Sequence, residues 1–294
     1  MLRFTLPAWL TMGLCSSLRE PVLFDGRLPG RTCVGLYRPP KPFHSGVMPG
    51  LSELYSASDS DPAPIVNFVE ALAARYGLPQ PLQVLDVGCG PGRLLIPLEK
   101  LRWQVTGMEP NPEFFASAQA VAGSSRRVTV LQGGFLDIDQ HELFDLVVAI
   151  NSSFAHLLNP GERADALRRI FHALRPGAVV CLDLPNFLWI LKNYREPEPF
   201  VFSVHGQSVT LERRHEIDVH RATFTTFDDY VRTHDGSLEA HFVHTYGMAS
   251  FPEFAHHFQE LGFTELRTFS GYSSRESERL NGPRMLLSAR KPAA

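Results

Sequence analysis

After Pro62, apolar residues recur at helical spacing (Ile65, Phe68, Val69, Leu72), and a short apolar run follows at Val84, Leu85 and Val87. The first pattern predicts an amphipathic helix and the second a buried strand over Gln83–Val87. The alternation then repeats. Strands are predicted over 103–107, Val128–Gln132 and 144–150, and helices over 112–121 and 160–174, with Asn159 as the N-cap of the last. Pro176-Gly177 marks a turn before a strand over 178–184. Repeated β-α alternation predicts a parallel sheet with helices on both faces.

Beyond Pro185 the pattern changes to β-like runs at Phe200–Val204, 208–213, 222–227 and 238–246. Gly206, the Asp228-Asp229 pair and Asp235-Gly236 punctuate them as expected turns. A helix over 251–261 and strands at Thr264–Phe269 and 284–289 restore the first pattern. Residues 1–50 are rich in Pro and Gly and lack periodicity. The expected organisation is an irregular arm over 1–50, an α/β core over 51–185, an inserted antiparallel β lid over 186–246, and the last core helix and strands over 247–294.

The strand at 83–87 runs into Gly88-Cys89-Gly90-Pro91-Gly92, and a helical pattern follows. Strand, glycine turn and helix together open a nucleotide-binding α/β unit, because glycine lets backbone approach a ligand. The spacing is G-x-G-x-G, whereas dinucleotide binding asks for G-x-G-x-x-G. Asp86 precedes the turn, and Glu109 ends the second strand, where a carboxylate can accept from vicinal ribose hydroxyls. Asp86 with this glycine turn resembles the first motif, D-x-G-x-G-x-G, of the class I S-adenosylmethionine (SAM) dependent methyltransferases. The resemblance implies a Rossmann-like α/β fold with a mostly parallel seven-stranded sheet, ending in a hairpin with one antiparallel strand. It implies SAM as cofactor, held by Asp86, Gly88, Cys89, Gly90, Gly92, Glu109, Pro110, Gly134, Phe135 and Asn151. Gly134 stands where related enzymes often carry an Asp for the adenine amine, so Phe135 is expected to cover the ring; Asp137 either substitutes or caps the turn. Asn151 falls at the carboxyl end of the fourth strand, where doubly wound sheets place ligands.

Ser152-Ser153-Phe154-Ala155-His156-Leu157 is similar to the Ser-Ser-x-x-His-Leu stretch of N-methyltransferases acting on nucleotide-linked deoxyamino sugars. Those enzymes also carry a β insert after strand five and a tyrosine-bearing segment ahead of the first core helix, matched here by Glu53-Leu54-Tyr55. Ser56 replaces the Asp usual after that tyrosine. The resemblance places Tyr55 and His156 beside the acceptor. An imidazole near pKa ~6.5 is also suited to take a proton from a nucleophile. The insert carries Arg213, His215 and Ile217 on one face and Arg214, Glu216 and Asp218 on the other. The expected reaction is methyl transfer from SAM to nitrogen, or else oxygen, of a small molecule. The rival readings are a non-catalytic SAM-binding regulatory protein and a nicotinamide-dependent oxidoreductase.

The 294 residues are 44% hydrophobic, ample for an α/β core plus a further module. The net charge of −3 and the lack of a basic run disfavour a nucleic-acid partner. Four cysteines without C-x-x-C spacing suggest neither a metal site nor a disulfide framework. No stretch approaches the ~20 apolar residues of a membrane span, and a cytoplasmic protein is expected. The oligomeric state is left open, a homodimer included.

Overall fold

The computed structural model describes residues 50–58, 61–273 and 275–293. The predicted arm over 1–50 lies outside the described residues except for Gly50. Seven strands form one sheet: β1 (Gln83–Val87), β2 (Gln104–Glu109), β3 (Val128–Gln132), β4 (Phe144–Ala149), β5 (Leu174–Pro185), β10 (Thr264–Phe269) and β11 (Arg284–Arg290). Their order is β10-β11-β5-β4-β1-β2-β3. Only β11 runs antiparallel to its neighbours β5 and β10. The chain leaves β1 toward β2 and β3 on one side and reaches β4 and β5 on the other, which makes the carboxyl ends of β1 and β4 the switch point of the sheet.

Period-two alternation divides the central strands between two cores. Val84, Leu146, Val148, Val179 and Leu286 face helices α2 (Ala63–Arg75), α3 (Leu95–Glu99) and α4 (Pro112–Ala122). Leu85, Val147, Val180, Leu182 and Leu287 face α5 (Pro160–Ala173) and α7 (Phe251–Glu260). Asn111 caps α4 by accepting from the N–H groups of Glu113 and Phe114, and Asn159 caps α5 by accepting from Gly161. The predicted turn at Pro176-Gly177 is a bulge inside β5: Leu174 already pairs with Phe144, and the register shifts before Leu146 meets Val179.

A second, four-stranded antiparallel sheet holds β6 (Phe200–Val204), β7 (Gln207–Asp218), β8 (Thr223–Arg232) and β9 (Leu238–Gly247) in that order. Between the two sheets in sequence lies the short helix α6 (Phe187–Lys192). The Asp228-Asp229 pair is not a turn. It sits in mid-strand, with Asp228 opposite Arg213 across the β7–β8 ladder. A bidentate ion pair satisfies the buried Asp228 carboxylate there, with Arg213 Nε and Nη2 donating at 2.6 and 2.7 Å. The turn falls instead at Asp218, whose Oδ1 accepts from the N–H groups of His220 and Arg221. Helix α1 (Leu51–Ser58) packs Leu54 against Val204, Val209, Leu211 and Tyr230 of this sheet. Among the described residues no helix is long and apolar enough to cross a membrane.

Candidate active site

A cavity of about 560 Å³ opens at the carboxyl ends of β1, β2 and β4. The glycine turn forms one rim and is pinned to β2, because the N–H groups of Gly88 and Cys89 both donate to the Met108 carbonyl. Gly88, with φ +72°, is required by close packing: a Cβ there would lie 2.5 Å from Ser153 Cβ. Gly92 does not line the cavity. A Cβ at that position would meet Ala118 of α4 at 3.0 Å, so this glycine allows the close approach of α4. Asp86, Gly88, Cys89, Gly90, Glu109, Pro110, Gly134, Phe135, Asn151, Tyr55 and His156 all line the cavity.

Two buried carboxylates dominate the glycine-turn side. Glu109 Oε2 accepts from Gly90 N–H at 2.9 Å and Oε1 from Asn111 N–H at 2.8 Å. Burial raises its pKa, while those two hydrogen bonds oppose the shift. Asp86 is 1% exposed, and its Oδ1 has no hydrogen-bond partner. Burial pushes its pKa up to about 7; Arg93 pulls the other way and Glu109 adds to the rise. An orphaned buried carboxylate oxygen on a cavity wall fits a cationic N–H donor such as the amine of SAM. Asp137 caps its turn, accepting from Gly134 N–H at 2.8 Å, while Phe135 is buried against Phe154 with ring centroids 4.9 Å apart.

The opposite wall comes from α1, the segment after β4, and β9. His156 ends a single 3-10 turn over Ser153–His156. The following carbonyls of Leu157 and Leu158 are gripped by the buried Arg163 of α5, itself paired with Glu253. The His156 side chain is exposed and lies on the cavity wall. Burial lowers its pKa, and a hydrogen bond to the Thr245 backbone opposes the shift. It is therefore neutral near pH 7 and able to accept a proton.

The sequence reading missed the contribution of β9. Phe242, His244 and Tyr246 sit opposite Asp228, Thr226 and Phe224, so they share the inner face of the second sheet. His244 stands 4.0 Å from Phe242 and 5.9 Å from His156 between ring centroids. Burial holds its pKa down to about 4; Asp228, 3.8 Å from Nε2, pulls upward, and His156 and Arg213 reinforce the drop. Three aromatic rings at alternate positions, 242, 244 and 246, were the available signal.

A second cavity of about 400 Å³ adjoins the first. Tyr55, Asn151 and His244 line both. Ser58, Ser152, Arg213, Tyr230 and Tyr246 give its remaining wall a polar character, broken by Phe200 and Leu211.

The sheet order and the glycine turn give a Rossmann-like methyltransferase fold, and the chain is a SAM-dependent methyltransferase. Residues 84–177 match the family described as "Methyltransferase domain". A protein of Geobacillus sp. (strain WCH70), named only as a methyltransferase, is 25% identical over 228 residues, covering 73% of this chain and 88% of that protein. The CcbJ methyltransferase of Streptomyces caelestis superposes with a TM-score of 0.67 at 18% identity, covering 83% of this chain and 96% of that one. The sugar N-methyltransferase KedS8 of Streptoalloteichus sp. superposes with a TM-score of 0.66 at 19% identity, covering 90% and 100%.

Proposed function

We propose that this methyltransferase acts on the nitrogen of a small, hydroxylated amine whose body sits in the second cavity. The observation that carries the reading is the junction of the two cavities at Tyr55, Asn151 and His244. One cavity is lined by buried carboxylates, the other by hydroxyl groups and a charge-balanced Arg213–Asp228 pair. A wall of hydroxyls and amide suits a polyhydroxylated body, such as an amino sugar, better than an apolar or strongly anionic one. The fold likeness to a sugar N-methyltransferase supports the same class.

SAM, when bound, supplies a methyl group already activated on a sulfonium. In this reading Glu109 accepts from the ribose hydroxyls, Asp86 from the amine, and Gly90 and Cys89 leave room for the backbone approach. Pro110, Gly134 and Phe135 bound the adenine space. Asn151 stands at the boundary with the acceptor. Tyr55 orients the acceptor, and the neutral His156 takes the proton that nitrogen gives up on methylation. The second sheet covers the reacting centre and excludes water.

The test is methyl transfer scored by mass spectrometry on paired panels of hydroxylated amines and their hydroxyl analogues, with S-adenosylhomocysteine (SAH) affinity measured by calorimetry. Methylation of amines with the hydroxyl analogues left untouched is expected. Methylation confined to hydroxyl groups, or tight SAH binding without turnover on either panel, overturns the reading.

A further inference from the structure

A buried carboxylate lies behind the acceptor wall. Asp183 of β5 is 0% exposed. Its Oδ2 accepts from Arg284 Nη1 at 2.5 Å, from the Tyr272 hydroxyl, and from the backbone N–H of Asn151 at 2.8 Å. Asn151 and Ser152 both adopt positive φ, +56° and +68°, a left-handed conformation costing roughly 1–2 kcal/mol per residue outside glycine. Asp183 captures both N–H groups of that pair, because the Ser152 N–H donates to its carbonyl at 3.2 Å.

The Arg284 guanidinium has a second arm. Nη2 donates to Asn151 Oδ1 at 3.4 Å. A guanidinium carries donors only, so the amide oxygen must face Arg284 and the amide nitrogen must face away. That nitrogen donates to the Tyr55 hydroxyl at 3.1 Å. A buried ion pair by itself is a weak source of stability. This one ends at a side chain that lines both cavities.

We propose that Asp183 and Arg284 are positioning residues of the methyl-transfer site, setting the Asn151 turn and amide, and through Asn151 the Tyr55 hydroxyl at the junction of the two cavities. The functional weight of this arrangement rests on the acceptor reading above. The arrangement itself can be read without any acceptor.

The experiment places 3-fluorotyrosine at the seven tyrosines of the full chain and follows them by fluorine NMR, with Tyr55→Phe and Tyr272→Phe assigning the two relevant signals. Arg284→Lys keeps a positive charge for Asp183 but loses the rigid fork by which two separate nitrogens reach Asp183 and Asn151. Asn151→Gly tolerates the left-handed turn while removing the amide. Both variants are expected to shift and broaden the Tyr55 signal, and Arg284→Lys is expected to keep SAH affinity by calorimetry unchanged. In the double variant the Tyr55 signal should move no further than in Asn151→Gly alone. A Tyr55 signal unmoved in Arg284→Lys, or additive shifts in the double variant, would overturn the proposal and leave the ion pair purely structural. Because the readout needs neither turnover nor an acceptor, its failure is distinguishable from failure of the amine reading.

Discussion

The two walls of the site are built by opposite strategies. The glycine-turn wall comes from one stretch of chain, Asp86 to Phe135, and its polar groups are acids whose pKa values are pushed up by burial. The facing wall gathers Tyr55, Asn151, His156, Arg213 and His244 from four separate parts of the chain, and its histidines are bases pushed down by burial. Burial disfavours the charged form of both kinds of group. What differs is the missing partner. On the first wall Glu109 is bonded through both oxygens, whereas Asp86 Oδ1 has no hydrogen-bond partner. On the second wall Arg213 already neutralises Asp228, so the space before it suits neutral, hydrogen-bonding matter.

Removing Glu109 breaks the comparison hardest. Two charge-assisted hydrogen bonds to a ligand are worth about 1.5–3 kcal/mol each, so Glu109→Ala should weaken SAH binding by roughly a hundredfold or more. His156→Ala should leave that affinity nearly unchanged while lowering turnover on the true acceptor by about 10²–10⁴-fold. Calorimetry and steady-state kinetics together check the separation; comparable losses of SAH affinity in both variants would dissolve the two-wall picture.

The glycines come next. Gly88→Ala combines positive φ with a 2.5 Å approach to Ser153 Cβ. It should cost about 2–4 kcal/mol in denaturant unfolding. At Gly90 the φ is +58° but nothing lies within 4 Å of the added Cβ. Gly90→Ala should therefore cost only about 1–2 kcal/mol of stability. Equal losses at the two positions would show that strain alone, and not the Ser153 contact, governs the turn.

The smallest effect is in the pH dependence of unfolding. Asp86, with a pKa raised to about 7, contributes stability present at acid pH and lost as pH rises through 7. His244, with a pKa lowered to about 4, contributes stability present above the ordinary histidine range and lost as pH falls toward 4; His156 acts in the same direction. The two walls therefore oppose each other in the ligand-free protein. Asp86→Asn should leave stability rising with pH between 4 and 6.5, and His244→Gln should leave it falling toward pH 7. Denaturant titrations at several pH values would show parallel curves for the two variants if the assignment were wrong.

Legibility in the sequence followed the same division. Asp86, Gly88 and Glu109 stood out in the sequence because each adjoins a strand end or the glycine turn. Glycine spacing alone did not show that Gly92 also admits the close approach of α4. Asp228-Asp229 suggested a turn because two adjacent charges are costly within a strand, and only the cross-strand Arg213 removes that cost. His244 was one ambiguous histidine among twelve until the register of β9 aligned it with Phe242 and Tyr246 on the inner face.

By itself the sequence determined the order of strands and helices, the glycine turn and the acids that follow β1 and β2, because hydrophobic period and turn chemistry act over a few residues. Tertiary structure decided which side chains meet across the cavity, that Asp183 reaches Tyr55 through Arg284 and Asn151, and that Arg213 neutralises Asp228. Those contacts join residues 15 to 133 positions apart, and their existence depends on strand register and helix docking, which no local pattern encodes.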